Sequence, residues 1–249
     1  MEKLKSDTNP KGVRIYFDDI KHEYFTDKVK DFTSVTNFVQ KFFEAFDSEK
    51  ISLAYARKYN LSQKEVLADW DRKKTNSQEL GSNIHEYCEA FFLGNPLPAP
   101  INKKAESYIT VAKAKLEELV KVFNLEASEK IIFSERLKLC GTADIILRHK
   151  KTNRLYLLDF KTSSEISKEN KFGKFAYHPV THLPDNNYTQ YSLQLNAYRK
   201  LLLLECYYAE DISLGLIHFT LDKPYSHGVN IMDNEIDLMI HSETWKSVK

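Results

Sequence analysis

The sequence predicts a domain of mixed helices and sheet, of the α/β or α+β class. Three observations indicate this class: helical apolar spacing in the first part of the chain, a β-rich segment over residues 130–161, and a helix, a strand and a helix after it. The chain has 249 residues, of which 42% are hydrophobic and 29% are charged. It is therefore long enough to bury a sizeable core, and its composition excludes a low-complexity or collagen-like protein.

The elements before the β-rich segment are predicted to be a short hairpin and several helices. Residues 13–25 alternate apolar and polar side chains around a polar turn, which is typical of a hairpin at the edge of a domain. Apolar residues recur with helical spacing over residues 34–70, where Ser34 is a helix cap and Asp47 restarts the helix. Two further helices are predicted over residues 77–93, ended by Gly94-Asn95-Pro96, and over residues 101–123.

The β-rich segment is predicted to form three consecutive antiparallel strands. Its apolar runs IIFSERLKL, TADIILR and RLYLLDF are separated by Gly141 and by the polar turn HKKTN. The elements that follow are a polar loop over residues 162–184, a helix over 188–208, a strand over 212–221 and a terminal helix over 235–246. Since no repeat or composition break divides the chain, we expect one domain: a hairpin and helical elaboration (1–76), a core (77–221) and a C-terminal helix (222–249).

Charge and cysteine content restrict the function classes. The 36 basic and 35 acidic residues give a net charge of +1, so any nucleic-acid surface must be a local patch. The three cysteines, Cys88, Cys140 and Cys206, are widely spaced and include no C-x-x-C pair. This pattern argues against a disulfide framework or a four-cysteine metal cluster and indicates a reducing compartment. A charged N-terminus and the lack of an apolar run of about 20 residues predict an intracellular, cytoplasmic protein without a membrane span.

The pairing register of the last predicted hairpin brings two carboxylates together. If its turn centres on Lys151-Thr152, Asp144 lies opposite Asp159 on one face of the sheet. Like charges at this spacing destabilise a sheet unless a cation compensates them, and Mg²⁺ and Mn²⁺ prefer carboxylate oxygens. Lys161 lies two residues beyond Asp159 and therefore on the same face. A divalent cation beside an ammonium group is what phosphodiester hydrolysis requires.

The alternative is that both aspartates face solvent and merely pair with Lys161 and Arg148. The neighbouring residues on the same face, Ile146, Leu155 and Leu157, are apolar. The two acids would then lie beside a partly buried surface, which favours the metal site because buried unpaired acids are costly.

Three further groups are candidates for the same site, and each has a plainer interpretation. Glu135, in the strand before the hairpin, is either a third acid or an exposed residue paired with a neighbouring base. His85 and Glu89 lie one helical turn apart, and the histidine is either an extra metal ligand or a satisfied helix residue. Gln194 and Tyr198 form a similar pair, which contacts phosphate or a base edge, or else provides polar capping and a core tyrosine.

Four short motifs follow one another along the chain: G-x-x-x-H at Gly81 to His85, G-T-A-D at Gly141 to Asp144, D-F-K at Asp159 to Lys161, and Q-x-x-x-Y at Gln194 to Tyr198. In this order they resemble the PD-(D/E)XK nuclease superfamily, in its RecB-like branch. The resemblance spans roughly residues 81–198. The helical segment before it is similar to phage-encoded members and to the mitochondrial genome maintenance exonuclease.

The resemblance implies a restriction-endonuclease-like fold, a mixed sheet flanked by helices, that hydrolyses DNA with Mg²⁺ or Mn²⁺. It also implies that the chain, which lacks helicase motifs and the cysteines for an iron–sulfur cluster, acts alone or with a separate helicase or recombination partner. The matching residues are His85, Asp144, Asp159 and the Phe160 carbonyl as metal ligands; Asp144, Asp159, Lys161 and Glu135 as catalytic residues; and Gln194, Tyr198 and Glu89 as supporting or DNA-contacting residues.

DNA should be contacted by a local basic surface. Residues 57–74 contain six Lys or Arg against three acids, and the loop over residues 162–184 interleaves aromatic residues with lysines. Aromatic and basic residues together suit single strands, so Lys171 and Lys174 are predicted to bind DNA; the alternative is a solvated loop packed by its own aromatics.

These observations favour an exonuclease that acts on single-stranded or end-containing DNA, in phage or genome-maintenance metabolism such as recombination and repair. A phage-encoded protein of this kind would work in the host cytoplasm. Two alternatives remain. One is a structure-selective or sequence-specific endonuclease on the same fold, and the other is a non-catalytic DNA-binding or complex-forming protein.

Overall fold

The structure is a computed structural model that describes residues 4–18, 20–21 and 23–246. The strands are β1 (Leu4–Thr8), β2 (Arg14–Asp18), β3 (Glu23–Phe25), β4 (Thr33–Ser34), β5 (Phe123–Ser134), β6 (Leu139–His149), β7 (Leu155–Lys161), β8 (Ile212–Phe219) and β9 (Pro224–Val229). The helices are α1 (Val35–Gln40), α2 (Ser48–Tyr59), α3 (Gln63–Leu93), α4 (Lys103–Val122), α5 (Asn187–Leu204), α6 (Asp233–His241) and α7 (Glu243–Lys246). The turn of the predicted N-terminal hairpin includes Asp19 and His22, which lie outside the described residues.

The strands form two sheets. β1, β2 and β3 make a three-stranded antiparallel sheet, and six strands make a mixed sheet in the order β4-β6-β7-β8-β9, with β5 paired to β6. β5, β6 and β7 are the three antiparallel strands that the sequence predicts, whereas β7 and β8 run parallel and are connected through α5. The predicted α+β class is confirmed.

Helices cover both faces of the larger sheet. Ile145 and Leu158 pack with residues of α3 and α4. Their neighbours Ile146 and Leu157 pack with residues of α1, α5 and α6. This division follows from the alternation of side chains along a strand. The two aspartates of the β6–β7 hairpin continue the second set and are therefore directed to the α5 face.

Capping residues set the boundaries of the first helices. Ser34 Oγ accepts the N–H of Asn37 at 3.1 Å, and Asp47 Oδ1 accepts that of Lys50 at 2.9 Å, so both predicted helix starts are confirmed. The continuous helical pattern between them is wrong, because α1 ends at Gln40 and residues 41–47 are not helical. Phe42 and Phe43 of this segment are buried by tertiary packing rather than along one helix face, and Phe46 is exposed.

α3 departs most from the prediction. It begins at Gln63 rather than near residue 77, after Asn60 ends α2 in a left-handed conformation with φ 52°. Residues 71–79 are exposed on every face of the helix, so they carry no apolar stripe that periodicity could detect. An ion pair of 2.7 Å between Asp69 and Lys73, one turn apart, supports the helix there. The predicted end at Gly94, with φ 68°, is confirmed.

Other differences concern polar strands and the C-terminus. β1 and β9, with the sequences LKSDT and PYSHGV, were not predicted because they have few apolar residues and no regular alternation. β9 joins the larger sheet from the segment that was predicted as a C-terminal helix, and Ser242 divides that helix into α6 and α7. Within the described part of the chain, none of the helices has the length and apolar character of a membrane span.

Candidate active site

The candidate site lies where β6 and β7 separate. Their ladder ends at the Ile145–Leu158 pair, in the register that the sequence predicts. Asp144 and Asp159 follow one position later, on the two diverging strands. β5 pairs along the whole of one edge of β6, so β4 and β7 share the other edge. β4 pairs only with the first two residues of β6. The gap between the two pairings leaves room for side chains inside the sheet.

Asp144 is anchored in this gap. Its Oδ2 accepts the N–H of Phe160 at 2.7 Å and lies 3.4 Å from His85 Nδ1. Burial would raise the pKa of the Asp144 carboxyl, but the charges of His85 and Lys161 and the Phe160 N–H outweigh it and lower that pKa. Asp144 is therefore ionised near neutral pH.

α3 brings His85 to the same gap. His85 Nε2 lies 2.9 Å from the Phe160 carbonyl oxygen, and because a carbonyl can only accept, this nitrogen donates its hydrogen. Nδ1 is then the atom that faces Asp144. Burial would lower the pKa of His85, but Asp144 and Asp159 raise it to about 9. The Phe160 carbonyl, which was predicted as a metal ligand, is here the group that orients the imidazole.

Asp159 and Lys161 form a buried ion pair beside Asp144. Lys161 Nζ lies 2.6 Å from Asp159 Oδ2 and 4.6 Å from the centre of the Tyr191 ring. Burial and repulsion by Asp144 raise the pKa of the Asp159 carboxyl. Burial would lower the pKa of the Lys161 ammonium, but the two aspartates outweigh it and raise that pKa. Lys161 therefore keeps its charge at the site.

Glu129 is a site residue that sequence reasoning missed. It follows Ser128, which pairs with Ile145, and so lies opposite Asp144. Its φ of 47° is left-handed, which is uncommon for a strand residue. Burial and repulsion by Asp144 raise the pKa of its carboxyl to about 7. The ligand atoms of His85, Glu129 and Asp144 all lie within 4.8 Å of one another.

The acid that was predicted from the strand before the hairpin, Glu135, lies elsewhere. It is in the turn after β5, where its carboxylate accepts the Thr26 hydroxyl at 2.5 Å. The β5–β6 pair next to this turn is Ser134–Leu139, and Leu139 lies five residues before Asp144 on β6. Five strand residues span about 16 Å. The structure therefore does not bring Glu135 to the site. Glu89, in contrast, lies near enough to Glu129 to contribute to the rise of its pKa.

Tyr198 and Gly141 fix α5 against β6. An added Cβ on Gly141 would lie 2.6 Å from Tyr198 Cε1 and 2.9 Å from its hydroxyl oxygen, so only glycine permits this contact. Tyr198 is 4% exposed, and burial raises the pKa of its phenol. Gln194 Nε2 donates to the Tyr198 hydroxyl at 3.3 Å. Two of the four sequence motifs thus meet at one buried contact behind the aspartates.

A cleft of about 420 Å³ opens from the site to solvent. Lys74 and Lys104 line its outer part, and His85 and Lys161 line its inner part. Gly81 lies next to Thr162, which lines the same cleft. A Cβ at Gly81 would lie 3.6 Å from Thr162 Oγ1, so alanine fits at this position.

The two loop lysines that were predicted to bind DNA are both paired with acids. Lys171 Nζ lies 2.8 Å from Glu165 Oε2, and Lys174 Nζ lies 2.7 Å from Glu44 Oε2. Phe172, between them, is 83% exposed. The role of the two lysines in DNA binding stays a prediction.

The donor set at the site suits a hard divalent cation. It offers one imidazole nitrogen and several carboxylates, which Mg²⁺ and Mn²⁺ accept. Two ligands on opposite sides of Mg²⁺ are about 4.2 Å apart. The 4.8 Å limit on the His85, Glu129 and Asp144 atoms is therefore close to the spacing around one ion. Across residues 4–18, 20–21 and 23–246, this is the one group of three His, Cys, Asp or Glu side chains with such spacing.

The chain resembles known proteins weakly. No family model matches the sequence, and no curated protein matches it. The crystal structure of SSO0001 aligns with 88% of this chain and 77% of its own, at 16% identity and a TM-score of 0.36. A protein named "Putative exonuclease" from Eubacterium rectale aligns with 88% of this chain and 79% of its own, at 14% identity and a TM-score of 0.36.

Proposed function

We propose that this chain is a metal-dependent DNA nuclease that hydrolyses phosphodiester bonds. The observation that carries the proposal is the convergence of His85, Glu129, Asp144 and the Asp159–Lys161 pair in one gap of the sheet. Burial and charge shift the pKa of each of these groups from its ordinary value, which is a property of catalytic sites. A structural ion pair alone would not require the other three groups.

The metal would be held by His85 Nδ1 and by carboxylates from three strands. Asp144 is ionised at neutral pH, and His85 and Glu129, whose pKa values are raised to about 9 and about 7, would lose their protons as a cation binds. The Phe160 carbonyl holds the imidazole in place through Nε2–H. When bound, Mg²⁺ or Mn²⁺ lowers the pKa of water and holds phosphate oxygens.

Lys161 is proposed as the catalytic lysine. Its ammonium group remains charged because two aspartates raise its pKa, and it lines the cleft. From there it can position the attacking water or stabilise the negative charge that develops on the phosphate. Asp159 at 2.6 Å and the Tyr191 ring at 4.6 Å fix its position.

We further propose that the chain belongs to the RecB-like branch of the PD-(D/E)XK superfamily and is an exonuclease in phage or genome-maintenance metabolism. The support is that residues from all four motifs, His85, Asp144, Asp159 and Tyr198 among them, meet around one gap although they lie far apart in the chain. The cleft of about 420 Å³ is the size of a small-ligand pocket, which suits a strand end better than a duplex.

The test is to incubate the purified protein with linear double-stranded, linear single-stranded and covalently closed circular single-stranded DNA. Each substrate is tested in Mg²⁺, in Mn²⁺ and with a chelator. We expect linear DNA to be degraded only when metal is present, and circular DNA to survive because an exonuclease needs an end. Cleavage of the circle would favour an endonuclease. If all three substrates survive in both metals, the chain is not a nuclease.

A further inference from the structure

We infer that one face of α3, together with aromatic residues from α2 and the segment before it, binds a single DNA strand and leads it to the metal site. This inference rests on the proposed function, because it names the surface by which the substrate approaches that site. We call this surface the α3 groove and define it by Phe46, Tyr55, Trp70, Lys74 and, from α4, Lys104.

The groove follows a single stripe of the helix. Trp70, Lys74, Ser77, Gly81 and His85 are spaced by three or four residues, so they lie on one face of α3. Trp70 and His85 are separated by about 22 Å along the helix axis. The side chains become small towards the metal site, at Ser77 and Gly81. Cavities open along this stripe: one of about 770 Å³ next to Trp70, and one of about 420 Å³ next to His85, with Lys74 lining both.

The outer end of the groove offers aromatic rings to solvent. Phe46 is 68% exposed, and its ring centre lies 5.8 Å from that of Trp70. The ring centre of Tyr55 lies 5.9 Å from that of Trp70, and Tyr55 is itself 42% exposed. Aromatic rings in this arrangement are platforms on which the bases of a single strand stack, irrespective of sequence. If nothing bound here, the protein would be more stable with these rings covered, so their exposure indicates a binding surface.

The charge along the groove becomes positive towards the metal site. The outer cavity has two lysines and two acids in its lining, Lys73 and Lys74 with Glu49 and Asp71. The inner cavity contains lysines but no acid. Within the described part of the chain, Lys74 and Lys104 have no ion-pair partner, unlike Lys171 and Lys174 of the loop. Unpaired lysines are available to neutralise phosphates, and a strand that stacks at Trp70 would meet them next.

The residues 71–79 of α3 support the same interpretation. They are exposed all around the helix, so no packing requirement explains their sequence, DRKKTNSQE. A helix that is polar on every face is stable in a protein when it bridges two packed regions. Here it connects the aromatic end of the groove to the buried part of α3 that begins at Leu80.

The experiment measures binding of a fluorescent oligo(dT) strand of about 20 nucleotides to the full chain in EDTA, by anisotropy and by quenching of tryptophan fluorescence. Trp245, which is 2% exposed, gives a constant background, so quenching reports on Trp70. We expect Trp70→Ala to weaken binding about tenfold or more, and Trp70→Phe to keep most of the affinity because it keeps a stacking ring.

A charge variant tests the phosphate path separately. Lys74→Glu is expected to reduce the slope of log affinity against log salt by roughly 0.7 or more, the contribution of one phosphate contact on a single strand. Lys121→Glu, near the opposite end of α4 from Lys104, is the matched control and should bind as the wild type. Both lysines are exposed, so neither change is expected to unfold the chain.

The outcomes separate this inference from the proposed function, because binding in EDTA does not depend on cleavage. If the wild type degrades DNA but Trp70→Ala and Lys74→Glu bind as tightly as it does, the α3 groove is wrong and the nuclease proposal stands. If both variants lose affinity as expected while no DNA is cleaved in either metal, the groove stands and the nuclease proposal is wrong. Absence of tryptophan quenching by the bound strand would also overturn the groove.

Discussion

Glu129 combines backbone strain with a partly buried carboxyl. A non-glycine residue in the left-handed region costs about 1–3 kcal/mol, and such strain persists where the surrounding structure holds it, often at functional sites. At φ 47°, Glu129 sits opposite Asp144, and burial and that neighbour raise the pKa of its carboxyl to about 7. A bound cation would remove the repulsion between the two acids, and this gain would offset the cost of the left-handed conformation.

Replacing Glu129 therefore tests the composition of the metal site. Glu129→Gln is expected to weaken Mn²⁺ binding by about tenfold or more. Even the loss of a group that only hydrogen-bonds a metal ligand lowers metal affinity by about 10- to 100-fold. Isothermal titration with Mn²⁺ in the absence of DNA measures this affinity. Glu135→Gln is the matched control, since Glu135 lies in the turn beside Thr26 and should leave Mn²⁺ binding unchanged. If Glu135→Gln weakens binding and Glu129→Gln does not, the assignment of the third acid is wrong.

At the scale of elements, the position of α5 against β6 depends on one close contact. Gly141→Ala would place a Cβ 2.6 Å from Tyr198 Cε1, so the helix or the strand must shift. We expect the free energy of unfolding to fall by about 1–3 kcal/mol, as for other overpacked cores. Urea denaturation measures the change.

Two comparisons make this stability test specific. Gly81→Ala should leave the free energy of unfolding unchanged or raise it by up to about 1 kcal/mol, because its Cβ meets Thr162 only at 3.6 Å and alanine favours a helix. In a Tyr198→Ala background the ring is gone, so Gly141→Ala should cost little. An equal cost of Gly141→Ala in both backgrounds would show that the contact with Tyr198 is not its cause.

The same elements show which parts of the fold follow from sequence patterns. The β6–β7 hairpin is local, so the position of its turn sets the register and places Asp144 near Asp159. The position of Glu129 could not be predicted in this way. The pairing of β5 with β6 shifts at a bulge between Leu125 and Ala127, and no sequence signal marks this bulge. The residue opposite Asp144 therefore could not be identified from the sequence. Residues 63–70 were predicted as helical, but their continuation into the rest of α3 was missed because residues 71–79 are all exposed and have no apolar period.

For the whole molecule, the near-balance of charge conceals a strong local separation. The chain has 36 basic and 35 acidic residues, yet acids gather at the gap between β6 and β7 while unpaired lysines line the cleft in front of it. Net charge therefore does not argue against a nucleic-acid substrate. Composition alone could not reveal this arrangement, because it depends on which residues of α3, α4 and β7 meet in space.

The fold also explains why the site could be predicted in part. The sequence motifs include His85, Asp144, Asp159 and Lys161. The structure brings these four residues together around one gap. The role of the Phe160 carbonyl could not be read in advance, because it depends on the orientation of the His85 ring. Contacts between distant elements, rather than spacing along the chain, determine such details.

The central claim is tested most directly by the rate at which Asp159→Asn degrades a linear single strand in Mn²⁺. Asparagine keeps the shape of the side chain but not the carboxylate that holds Lys161 at 2.6 Å. We therefore expect the cleavage rate to fall by about 100-fold or more. Circular dichroism should show that the variant still folds. Asp222→Asn, which changes an exposed acid, should match the wild type. Cleavage by folded Asp159→Asn at the wild-type rate would contradict the assignment of this site.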